Sequence, residues 1–155
     1  FSVSHFERTM ANGDVVKTEQ MLWPSHCVVG TEGHKVHHHL ATLDNDFIVR
    51  KGTNPDIESY SAFGDESGNK YENTGLDEYL KSESVSDIIL VGLATDYCVY
   101  NTGLDALRLG YRVHVIRSCV RGVSETTTTN AVQDLQLKGA IFYDDVDDFT
   151  FLNSL

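Results

Sequence analysis

Apolar positions along the chain are unevenly spread, and from residue 87 onward they fall into an alternating series of patterns. "DIILVGLA" (87–94) is apolar after its first residue, as strands buried on both faces of a parallel sheet are. Val99, Leu104, Ala106, Leu107 and Leu109 follow at helical spacing and predict a helix over 97–109 that stops at Gly110. "YRVHVIR" (111–117) reads as a strand and "SETTTTNAVQDLQLKG" (124–139) as a helix, with Ser124 as its cap and Gly139 as its stop. "AIFY" (140–143) reads as a last strand. Strands alternating with helices of this length predict βαβ units on a parallel sheet.

The signal is weaker upstream. Residues 1–46 read as polar and irregular, and "DFIVRKG" predicts a short strand over Phe47–Arg50 that runs into a loop. Residues 52–75 are rich in Gly, Asn, Ser and Asp, and loops of that length inside compact domains usually serve a function. "LDEYLKSE" (76–83) reads as a short helix. With no repeat or linker, the expected organisation is a single domain over 1–155.

Composition narrows the function classes. No apolar run approaches the roughly 20 residues of a membrane span, and "FSVSHFERTM" lacks the basic and apolar regions of a signal peptide. Twelve basic against 23 acidic side chains, net −11, argue against nucleic acid or an anionic membrane as partner, since both attract basic surfaces. Three cysteines, Cys27, Cys98 and Cys119, have no C-x-x-C spacing. They suggest a reducing compartment such as the cytoplasm rather than a disulfide framework.

Ligands of open parallel sheets bind outside the carboxyl ends of the strands. Cys98 falls there, where the best strand gives way to a helix. A helix N-terminus stabilises a thiolate, and its N–H groups can hold an oxyanion. Lys51 follows the Phe47–Arg50 stretch, and an ammonium near the sulfur would favour negative charge on it. His26 in "WPSHCV" is a candidate metal ligand, and Trp23 a candidate wall for a flat ligand. His37, His38 and His39, with His34 nearby, are consecutive. On a regular strand or helix such rings point in different directions, so they read as a solvated patch, with a metal-binding module as a rival reading. Cys119 reads as a packing residue.

Three of these stretches, "WPSHCVVGTEG", "VRKGTNPDIESYSAF" and "GLATDYCV", together resemble the nicotinamidase/pyrazinamidase branch of the isochorismatase-like cysteine hydrolases. The tail "GYRVHVIRSCVRGVS" followed by "GAIF" fits the same family. The resemblance implies a three-layer α/β/α fold of Rossmann type with a mainly parallel sheet. It implies an amidase that converts nicotinamide to nicotinate and ammonia through a cysteine thioester. By the same resemblance Cys98 is the nucleophile and Lys51 the triad lysine. The oxyanion hole is formed by the N–H groups of Ala94 and Cys98, and the Leu93–Ala94 peptide is cis. The resemblance also implies a divalent metal, most often zinc, held by His26 together with ligands expected before Phe1, that grips the pyridine nitrogen. Trp23, Phe63 and Leu93 line the ring, and Ser2 or Glu7 are further metal candidates. The small-molecule partner is nicotinamide, and relatives are often homo-oligomers.

The family's triad aspartate and its D-x-H metal motif have no counterpart in these residues, and the chain opens with Phe1. The expectation is an N-terminally truncated domain without its first strand. Two other readings stand beside the nicotinamidase. One is a related hydrolase of a different amide or carbamoyl compound. The other is a non-catalytic protein that binds or senses through a reactive thiol. The 155-residue chain by itself is expected to lack amidase turnover; full ammonia release from nicotinamide by the purified chain refutes this.

Overall fold

The computed structural model describes residues 2–9, 13–54, 59–64 and 73–148. The chain divides into two compact units, Phe1–Phe47 and Ile48–Leu155.

The first unit contains an antiparallel ribbon, β1 (Ser2–Thr9) and β2 (Val15–Leu22), paired from Ser2↔Leu22 to Thr9↔Val15. The irregular reading of residues 1–46 is corrected here. Charged and polar residues interrupt both strands, so no apolar face marks them, and the ribbon is defined by cross-strand pairing instead. Complementary side chains face each other across it: the Lys17 ammonium lies 3.6 Å from Glu7, and the His5 ring nitrogen 3.7 Å from Glu19.

The second unit is the α/β part. α1 (Leu76–Ser82) precedes β3 (Asp87–Leu93). A single π-helical turn, Thr95–Val99, leads into α2 (Tyr100–Arg108), and β4 (Arg112–Arg121), α3 (Glu125–Leu137) and β5 (Ile141–Tyr143) follow. The strands form a parallel sheet in the order β3-β4-β5. This is the α/β arrangement that the alternating pattern predicts. Ser124 caps α3, accepting from the Thr127 N–H, and Gly110 and Gly139 end α2 and α3 with positive φ. The predicted strand over Phe47–Arg50 is absent. Phe47 and Ile48 are exposed, and no described strand pairs with them, so the backbone groups that would make a ladder have none to join.

The core lies between the sheet and its helices. Leu90, Val113 and Val115 of the strands pack with Val99, Ala106 and Leu135 of the helical segments. α2 comes close because residue 103 is glycine. A Cβ there would stand 3.0 Å from Leu135 Cδ2 and 3.3 Å from Leu90 Cδ1. Ile89, Val91 and Leu93, which alternate with Leu90 along β3, are exposed.

Charged groups tie the edges of this unit. Side-chain hydrogen bonds from Arg112 hold the Asp87 carboxyl well below its ordinary value, with help from Ser86 and His114. Lys138 and the Tyr100 hydroxyl lower Asp134. Burial, together with the Asp77 carboxylate it donates to, pushes Tyr111 from 10.0 up to about 12. The signs fix a stability window. Lowered carboxyls stabilise the fold above their unfolded value of 3.8 and lose that contribution as pH falls through their folded values. Raised Tyr111 contributes below pH 10 and loses its contribution as pH rises toward about 12. Urea midpoints measured against pH are expected to stay level between about 4 and 10 and fall on both sides; a Tyr111→Phe variant is expected to have a lower plateau and no alkaline fall.

Candidate functional site

The site starts where β3 stops. The β3–β4 register breaks between Leu90, opposite Val115, and Gly92, opposite Val120. The Leu93–Ala94 peptide is cis. The chain then makes the π-helical turn, whose Tyr97 and Val99 N–H groups both donate to the Ala94 carbonyl at 3.1 Å. Single π turns inside helices occur often at functional sites. Thr95 and Val99 face inward and are buried, and Cys98, between them in sequence, is half-buried.

Lys51 meets this cysteine from the other side. Its Nζ lies 3.4 Å from Cys98 Sγ and donates to the Ser59 carbonyl at 3.0 Å. Ser59 is itself fixed: it is buried, and its hydroxyl donates to the Gly64 carbonyl at 3.1 Å. Thr102 joins the two halves. Its hydroxyl donates to the Cys98 carbonyl at 2.7 Å and accepts the Ala62 N–H at 3.0 Å. The Tyr60 and Tyr97 rings, 5.4 Å apart, add an aromatic contact between the same segments. An ammonium held this close favours negative charge on the sulfur, and N–H groups in the first turn of a helix can receive a developing oxyanion.

Asp96 fixes the turn from beneath. Its carboxylate accepts the Val123 N–H at 2.9 Å, the Ser124 N–H at 3.3 Å and the Thr127 hydroxyl. Burial pushes this carboxyl up, but the Thr127, Val123 and Ser124 donors outweigh it and hold it below its ordinary value. Gly122 is required for this approach: a Cβ there would lie 1.7 Å from Thr128 Oγ1 and 3.2 Å from Asp96 Oδ1. Sequence reading passed over Asp96, Ser59 and Thr102. Asp96 and Thr102 flank Cys98 within one turn on either side, and that spacing was the available signal.

The remaining sequence candidates are divided between the two units. His26, Trp23, Ser2 and Glu7 belong to the first unit. Trp23 lines a shallow open hollow with Ser2, Leu22 and Pro24, and Glu7 is paired with Lys17. His26 Nδ1 is 2.8 Å from the Pro24 carbonyl. A carbonyl only accepts, so Nδ1 carries a proton and Nε2 is the ring nitrogen that a metal could use. Leu93 is 73% exposed beside the cis peptide. Phe63 is a correction: it packs against the core, and its ring stacks on Tyr111 just before β4, at the amino end of the sheet. Cys119 is another, being exposed rather than packed.

Fold and site together define a class: a parallel α/β protein with a thiol–lysine pair at the carboxyl end of its sheet. The family model described as "Isochorismatase domain" matches residues 3–145. The chain belongs to the isochorismatase family. It is 37% identical over 145 residues to a nicotinamidase of Escherichia coli (strain K12), covering 92% of this chain and 67% of that protein. Its structure is similar to that of an Acinetobacter baumanii nicotinamidase/pyrazinamidase, with TM-score 0.76 and 33% identity, over 92% of this chain and 66% of that one. It is also similar to the pyrazinamidase of Pyrococcus horikoshii, solved in complex with zinc, with TM-score 0.69 and 31% identity, over 79% of this chain and 63% of that one. The chain thus spans about two thirds of the length of these relatives.

Two variants test the geometry. Gly122→Ala is expected to cost about 1–3 kcal/mol in urea unfolding, the range for overpacking. Lys51→Met is expected to leave stability unchanged and slow iodoacetamide alkylation of Cys98, followed peptide by peptide in a mass spectrometer; an unchanged rate contradicts the electrostatic role of Lys51.

Proposed function

We propose that the protein bearing this chain is a nicotinamidase, hydrolysing nicotinamide to nicotinate and ammonia, and that Cys98 and Lys51 carry the reaction. The observation that supports it most is the 3.4 Å approach of Lys51 Nζ to Cys98 Sγ. It joins two of the three segments in which the resemblance was read.

In this reading the Cys98 thiolate attacks the carboxamide carbon. A carbon–sulfur bond forms; the triad aspartate that the family resemblance implies, which has no counterpart in these residues, takes the thiol proton and passes it to the amide nitrogen as the carbon–nitrogen bond breaks, so that ammonia leaves. Lys51 holds the charge of the thiolate. The N–H groups of Ala94 and Cys98 donate to the oxyanion. Water then cleaves the thioester, giving nicotinate and the free thiol. Trp23 and Leu93 are assigned to the pyridine ring.

His26 fits a divalent metal, zinc first, because its Nδ1–H is committed to Pro24 and its other ring nitrogen, Nε2, is the one a metal would use. When bound, the metal supplies a fixed Lewis-acid contact for the pyridine nitrogen. Ser2 or Glu7 stands as a further ligand in this proposal. One domain spanning both units agrees with a family match that runs from residue 3 to 145. No helix among the described residues is long and apolar enough to cross a membrane. Three free cysteines suit the reducing cytoplasm, and assembly as a homo-oligomer is part of the same proposal.

Ammonia release from nicotinamide by the full protein that bears this chain, rather than by the 155 residues alone, tests the reading. Cys98→Ala is expected to abolish turnover while titrated nicotinate still binds, and Lys51→Ala to lower kcat by on the order of 10²-fold or more. Turnover that survives Cys98→Ala overturns the assignment of the nucleophile, and faster release from ureido compounds moves the substrate to the carbamoyl class.

A further inference from the structure

The three consecutive histidines do not behave as a regular element would make them. His37–Leu40 is a turn, closed by the Leu40 N–H donating to the His37 carbonyl at 2.9 Å. In a strand or helix the three rings would diverge; the turn folds them onto one side. Ring centroids are 4.4 Å apart for His37–His38, 4.2 Å for His38–His39 and 5.0 Å for His37–His39. One nitrogen from each ring lies within 4.8 Å of the others, and all three residues are exposed.

We propose that His37, His38 and His39 form a surface site for a borderline divalent transition-metal ion of the Zn²⁺, Ni²⁺ and Cu²⁺ class, separate from His26. Imidazole nitrogens bind such ions at about 2.0–2.1 Å, so two ligands of one tetrahedral ion stand about 3.4 Å apart. The rings need close by little more than an ångström, and exposed side chains can rotate that far without disturbing a core. His37 Nδ1 already presents a lone pair inside the turn, where it accepts the His39 N–H at 3.2 Å. An ion would replace that long hydrogen bond with a stronger one-sided contact. Three neutral nitrogens with no carboxylate among them select against Mg²⁺ and Ca²⁺, which require oxygen ligands. Three protein ligands leave a fourth position to water or a second molecule, the pattern of an open site. The chain's net charge of −11 lowers the cost of bringing a dication to its surface.

Calorimetric titration of the chain with Zn²⁺ alone, beside the variant carrying H37A, H38A and H39A and beside H26A, decides it. The triple variant is expected to lose one bound equivalent that H26A keeps, with circular dichroism showing both variants folded. In the unsubstituted chain, the ring Cε1–H proton resonances of residues 37, 38 and 39 are expected to shift together with that equivalent, and excess Mg²⁺ not to reverse the shift. An unchanged zinc stoichiometry in the triple variant overturns the site. So do rings that respond one at a time, or displacement of zinc by Mg²⁺.

Discussion

A lysine ammonium 3.4 Å from a cysteine sulfur, 47 residues along the chain, is the contact around which the candidate site is built. Lysine is the least suited side chain to such a role unless something holds it, because fixing its stem costs about 1.5–2 kcal/mol of rotamer entropy. Its bond to the Ser59 carbonyl at 3.0 Å contributes on the order of 1–2 kcal/mol, the range for a hydrogen bond to a charged group. That gain is of the same size as the entropy lost. The position of Lys51 therefore depends on Ser59 being rigid, which explains why Ser59 is buried and bonded to Gly64.

The sulfur side is held by a second set of bonds. Thr102 links the Cys98 carbonyl to Ala62, so the loop that fixes Lys51 and the helix that carries Cys98 move as one piece. Asp96 fastens the same turn to the start of α3 through backbone N–H groups, which leave its carboxylate little rotational freedom. The close approaches at Gly103 and Gly122 let α2 and α3 sit near enough for this. Positioning of Cys98 thus rests on backbone bonds and on ordinary packing of the α/β core.

Legibility in the sequence followed the strength of each element's hydrophobic signal. β3, α2, β4, α3 and β5 each carry an apolar run or apolar residues at helical spacing, and these are legible in the chain. β1 and β2 carry interspersed polar residues and are paired through backbone bonds and cross-strand charges, so no period betrays them. Phe47–Arg50 has strand composition, yet composition does not supply a neighbour to pair with. Phe63 looked like a ring-pocket residue because of the motif it sits in, while its ring packs against Tyr111 and the core.

Local order therefore determined the α/β alternation and the placing of Cys98 at a strand-to-helix turn, because burial periodicity, cap residues and stop glycines act over a few residues. Convergence was decided only by the folded chain. Which carbonyl steadies Lys51, which carboxylate fastens the Cys98 turn, and whether neighbouring imidazoles diverge or gather all depend on backbone direction summed over many residues, and no short window of sequence contains that sum.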